Sequence, residues 1–196
     1  MRTVFLAFAM AVTLSSAAYA RPEWVDPVTG MTLSCGFLDP NYIRTPCRST
    51  GSKDDRDTWR QHLGADFRAP ANATVVAPVT GKIVLFHADP SVPAEDAYLV
   101  IKDEQTNEEH VIGHISSTLT VGPTVTKGSA IGAVRDQGAN THVHWGFNVK
   151  SVAAAMQHTS RCLRGGRVRD CEWGWGKAPY EASEQEVRAQ GWRNVL

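Results

Sequence analysis

Five side chains in this 196-residue chain have types and spacing that could do hydrolytic chemistry: His62 and Asp66, separated by Leu63-Gly64-Ala65, then His114, then His142 and His144 flanking Val143. A histidine with a carboxylate can fill two positions of a tetrahedral zinc site, and a third protein ligand leaves one position open for water. One histidine of the H-x-H pair would complete that set. The two remaining histidines would be free for proton transfer or for stabilising developing charge. No H-E-x-x-H occurs, so the usual helical zinc-protease arrangement is not available. An isolated H-x-H is more often an ordinary surface pair, but this one is accompanied by the other three groups in order.

These groups need a rigid support, and the pattern around them is that of a sheet. Short β-rich runs at Thr74 to Ala77, Lys82 to Phe86, Tyr98 to Lys102, His110 to Ile115, Ala130 to Val134 and His142 to Val149 are separated by turn residues, among them Gly81, Gly122, Gly128 and Gly138. No helical period survives across this span. The expected fold is mainly β, an antiparallel sheet or sandwich with a substrate groove, flanked by disulfide-stapled loops and a short C-terminal helix. In the last strand, alternation puts Val143, Trp145, Phe147 and Val149 on one face, with His142, His144, Gly146 and Asn148 on the other. That predicts a back against the core and a wet front. Residues His87 to Ala97, with Pro90 and Pro93, read as a loop that could overhang one face. Ser183 with Glu186 three residues on is a capping box, predicting a helix to about Gln190 stopped by Gly191.

Composition narrows the class. Twenty basic residues balance twenty acidic ones, and 42% of residues are hydrophobic against 20% charged. This is an ordinary globular composition, and zero net charge disfavours nucleic acid, whose backbone is bound by clustered Lys and Arg. Residues 1–20 read as a signal peptide: Arg2, the apolar stretch Thr3 to Leu14, and Ala18-Tyr19-Ala20 before the cut. The expectation is an exported protein of periplasm or medium, with no membrane association after cleavage. In an oxidising compartment the four cysteines suggest disulfides, and of three connectivities the local pairs Cys35–Cys47 and Cys162–Cys171 are favoured. Neither pair has the C-x(2–4)-C spacing of a zinc site. The chain then divides into 1–20 signal peptide, 21–60 N-terminal stapled segment, 61–150 domain carrying the five groups and 151–196 C-terminal extension.

The ordered set His62-Leu63-Gly64-Ala65-Asp66, Gly113-His114-Ile115 and His142-Val143-His144 resembles the lysostaphin- and LytM-type zinc endopeptidases of the M23 family. Asp66-Phe67-Arg68-Ala69-Pro70 with Val76-Ala77-Pro78-Val79-Thr80-Gly81, and Val125-Thr126-Lys127-Gly128-Ser129-Ala130-Ile131-Gly132, resemble the stretches between that family's ligands. The likeness covers about Gln61 to Val149. It implies one Zn2+ per chain held by His62, Asp66 and His144, with His114 and His142 as catalytic residues. It also implies hydrolysis of peptide bonds in peptidoglycan cross-links or stem peptides. Two departures are Ile112, where an aromatic residue often stands, and Trp145 after the pair. Two other functions are compatible with the fold: a module that regulates a cell-wall amidase, and a zinc peptidase directed at proteins. The complete set of five groups argues against the first. Oligomeric state is not legible.

Other conspicuous residues have plainer readings. His110, four before His114, would share its face in a regular strand and border the groove, or be a surface histidine, the reading favoured here. His87 and His158 read as solvent-exposed. Trp173, Trp175 and Trp192 could stack on glycan, although packing of the C-terminal extension on the sheet is the simpler use. The basic run Arg161 to Arg169, interrupted by Gly165-Gly166, reads as a solvated turn. Asp39 or Asn41 could occupy an open zinc position in a latent form, against the favoured reading of a structural stapled loop.

Overall fold

The computed structural model describes residues 24–38, 60–88, 97–164, 167–179 and 181–196. The signal segment, Asp39, Asn41, Cys47 and most of the loop after His87 lie outside the described residues. The elements in order are β1 (Thr32–Cys35), β2 (Arg60–His62), β3 (Gly64–Arg68), β4 (Thr74–Val76), β5 (Gly81–Ala88), β6 (Ala97–Asp103), β7 (Glu109–Ser116), β8 (Thr124–Val125), β9 (Ala130–Val134), β10 (His142–Asn148), α1 (Val152–Met156), β11 (Thr159–Arg164), β12 (Arg167–Glu172), β13 (Lys177–Pro179), α2 (Glu184–Ala189) and β14 (Trp192–Arg193). The main sheet runs β1-β3-β10-β7-β6-β5-β8, and β14 adds to β10. All its pairings are antiparallel, so the chain is mainly β as its alternation implies.

The sheet buries both faces. One packs Phe67, Ile83, Leu99, Ile101, Ile112, Ile115, Val143, Trp145 and Phe147 into the larger apolar cluster. The other face supplies Val100 and Val111 to a second cluster with Leu63, Trp173, Val187 and Trp192. Each fully buried Ile or Leu here contributes about 1.5–3 kcal/mol relative to exposure. Val143, Trp145 and Phe147 share the first cluster, as alternation along β10 requires.

The flanking segments are woven into the sheets more tightly than stapled loops would be. β1 pairs with β3, β13 pairs with β2 and β14 pairs with β10. Cys162 and Cys171 are disulfide-bonded across the β11–β12 hairpin, whose register sets Ser160 opposite Cys171 and Cys162 opposite Arg169. The basic run is therefore largely strand. Cys35 is also disulfide-bonded. Helix α2 starts where its capping box predicts: Ser183 accepts the Glu186 N–H, and Gly191 at φ +95° ends the segment. A Cβ at Gly191 would lie 2.4 Å from Asn148 Oδ1, so the stop also permits close approach to β10. Helix α1 has no strong sequence signal; Ser151 caps it, and the Glu109 carboxylate accepts the Val152 N–H at 2.6 Å. No helix among the described residues is long and apolar enough to cross a membrane.

Three histidines depart from expectation. His110 is fully buried, accepts the Trp145 indole N–H on Nδ1 at 3.2 Å and meets the edge of Trp24. Its expected surface or groove position is wrong because β7 is not regular: Leu99 pairs with Ile112 and Ala97 with Ile115, so Tyr98 alone opposes both Gly113 and His114. One extra residue reverses the parity, sending His110 into the core and His114 to the opposite face. His158 is only partly exposed and bonds Glu186 at 3.0 Å. His87 is half-buried and stacks on Trp175.

Candidate metal centre and catalytic pair

Three donor atoms converge at the junction of β2, β3 and β10. Asp66 and His144 lie directly opposite in register, which puts them on one face of the sheet as a cross-strand pair. His62 comes from β2, in a different sheet, and is turned toward them by the break at Leu63, whose N–H is held by the Gly176 carbonyl at 2.8 Å. His62 Nε2 lies 3.0 Å from Asp66 Oδ1 and 2.9 Å from His144 Nδ1, and His144 Nδ1 lies 3.0 Å from the same Asp66 oxygen. All three residues are buried.

This triangle is short of protons. His62 Nδ1–H donates to the Gly36 carbonyl at 3.0 Å, which selects the tautomer whose Nε2 lone pair turns inward. Asp66 is a carboxylate: burial pushes its pKa up, but His62 and His144 outweigh that and hold it well below the ordinary range. At most one hydrogen, on His144 Nδ1, is left to serve three mutual contacts when both rings are neutral. Burial pushes His144 down to about 4, against the pull of Asp66, so that ring is neutral at pH 7. Three convergent Lewis bases, two imidazole and one carboxylate, fit a divalent metal of zinc type with a position left open. Cys35 lies within 4.8 Å of the donors of His62 and Asp66, but its disulfide withholds the thiolate.

Glycines make the space. A Cβ at Gly176 would lie 2.2 Å from His144 Nε2, one at Gly64 2.6 Å from His144 Cε1, and one at Gly146 3.3 Å from Nε2. Gly176 also sits at φ +65°, where an L side chain is strained. Three backbone segments thus clamp one imidazole ring.

The two remaining histidines stand beside the triangle. His142 Nδ1–H donates to the Asn140 carbonyl at 2.5 Å, leaving Nε2 unprotonated and 3.7 Å from Asp66 Oδ2. Burial lowers the His142 pKa, against the pull of Asp66, so this nitrogen is a free base near neutrality. His114 packs on His142 with ring centroids 4.5 Å apart, and its backbone is left-handed at φ +60°, the local cost of the bulge that re-aims it. The structure thus brings all five sequence-selected residues together.

It adds Tyr98, which sequence reasoning missed. Tyr98 Oη lies 2.9 Å from His114 Nε2, and its ring covers Gly113, where a Cβ would lie 2.2 Å from it. The only sequence signal was its place at the start of a strand run. The expected packing use holds for Trp173 and Trp192, both buried in the second cluster, and in part for Trp175, which is half-buried and packs with Tyr98 against that cluster.

Among curated proteins no sequence matches this chain. Similar solved structures include the prophage-encoded M23 protein EnpA catalytic domain from Enterococcus faecalis, 18% identical at TM-score 0.44 over 63% of this chain and 84% of that one. A zinc containing peptidase from Vibrio cholerae is 20% identical at TM-score 0.43 over 63% and 35%. Lysostaphin from Staphylococcus simulans is 21% identical at TM-score 0.39 over 56% and 41%. The chain thus spans well under half the length of the last two. Residues 60–156 match the model of peptidase family M23, a range that contains the donor triangle, both flanking histidines and Tyr98. The chain carries a domain of peptidase family M23 over these residues.

Proposed function

We propose that this chain is an exported zinc endopeptidase that hydrolyses peptide bonds in the cross-links or stem peptides of peptidoglycan, in the periplasm or the medium. The observation that carries the reading is the proton-poor triangle of His62 Nε2, Asp66 Oδ1 and His144 Nδ1 with His142 Nε2 beside it as a free base. Zinc held by these three side chains supplies Lewis acidity, which acidifies water and polarises a peptide carbonyl. His142, fixed through Nδ1 by Asn140, takes a proton on Nε2. His114, its ring held by the Tyr98 hydroxyl, donates a hydrogen bond to the oxyanion, and the proton taken up by His142 passes to the leaving amine. Neutral overall charge suits short peptides better than a polyanion.

The test is incubation of metal-replete protein with purified sacculi, followed by separation of the released muropeptides. Loss of cross-linked dimers, blocked by chelator, is expected. An unchanged profile from zinc-loaded protein would overturn the reading.

A further inference from the structure

The site does not end at His114. On the same face of the sheet, consecutive strands β10, β7, β6 and β5 each present one ring: His142, His114, Tyr98 and His87. His142 and His114 are 4.5 Å apart between centroids, Tyr98 and His114 are 5.1 Å apart, and His87 lies directly opposite Tyr98 in register. The row therefore crosses the strands, and its far end is about two strand spacings, roughly 10 Å, from His114. An extended peptide covers that in about three residues.

Trp175 stands at that end. It forms, with Gly176, the tip of a two-residue turn closed by the Gly174–Lys177 bridge, and it stacks on His87 with centroids 5.6 Å apart at 17°. Tyr98 meets it at 6.0 Å and 44°. Trp175 is half-buried, and it lies beyond the residues matched by the family model, so this end belongs to the chain's own C-terminal extension.

We infer that Trp175, His87 and Tyr98 form a subsite for a sugar ring, placed where a short peptide bound across the row reaches the glycan that carries it. This rests on the proposed peptidoglycan substrate. Aromatic faces with polar edges match a pyranose, which has apolar C–H faces and a hydroxyl rim.

The experiment uses the zinc-loaded full chain on two substrates, a cross-linked muropeptide dimer with its disaccharides and the same peptide dimer freed of sugar. Wild type should prefer the glycan-bearing dimer, and Trp175→Ala should reduce that preference about tenfold, consistent with ring stacking. His87→Ala, which removes the other side of the stack, should reduce it in the same sense. Equal losses on both substrates, or an unaltered preference, would overturn the subsite. Binding is read separately by quenching of tryptophan fluorescence with peptide-free glycan strands. Saturable quenching lost in Trp175→Ala supports the subsite, and no quenching in wild type overturns it. Should wild type cleave neither dimer, the peptidase reading fails while the glycan titration still decides the subsite.

Discussion

At the scale of single residues, the three donors and their two neighbours have separable roles. Asp66→Ala and His144→Ala each remove a corner of the triangle, so bound zinc should fall from about one per chain to near zero, and activity with it. Full zinc content by elemental analysis in either purified variant would refute the ligand assignment. Tyr98→Phe keeps the ring on Gly113 but deletes the hydroxyl that holds His114. Its kcat should fall about tenfold with KM little altered. An unaltered kcat, or an equal rise in KM, would show that the hydroxyl does not position His114. Gly176→Ala presses a methyl against His144 Nε2, so zinc affinity should weaken by tenfold or more. Isothermal titration with the metal reads this directly, and wild-type affinity would mean that the turn yields.

Among the elements, the bulge in β7 matters most. By pairing Tyr98 against both Gly113 and His114, it lets one strand point His110 into the core and His114 into the site. Simple alternation along the sequence gives the opposite parity, which is why His110 reads as a surface residue until the register is seen. The buried position has a cost in acid. Burial lowers His110 to about 4 from an ordinary 6.5, with Asp103 opposing. Between those values the unfolded chain binds a proton that the folded chain does not, so stability is full above about pH 6.5 and declines as pH falls toward 4. Thermal melts from pH 8 to 4 should show the midpoint declining less for His110→Gln, whose amide can still accept from Trp145. Identical pH profiles would show that His110 does not set the acid sensitivity. The element signals that were legible, the strand runs from Thr74 to Asn148 and the Ser183–Glu186 cap, are local ones. β1, β2, β13 and β14 were not, because strands of two to four residues carry too little periodicity to declare themselves.

For the whole molecule, the C-terminal extension is part of the site's architecture. Leu63, Val100 and Val111 of the matched domain are buried against Trp173, Val187 and Trp192, and Gly176 holds Leu63 at the turn between His62 and Asp66. Truncation after Met156 retains every donor yet uncovers that apolar face. The truncated chain should bind a hydrophobic dye, lose its cooperative melt and lose high-affinity zinc binding. A truncated chain with a wild-type melt would show that the family domain stands alone.

The amino-acid sequence by itself determined the five reactive groups, their order, the sheet that carries them and the face to which His142 and His144 point. Each of these follows from side-chain chemistry or a period of two, both local properties. Only the tertiary structure decided that His62 and Asp66 come from two different sheets and that a bulge re-aims His114. The same holds for Tyr98 beside His114 and for the distant turn at Trp175–Gly176, which walls His144 and ends the aromatic row. Those outcomes depend on register and on contacts between segments far apart in the chain, set by packing both faces of the sheet at once.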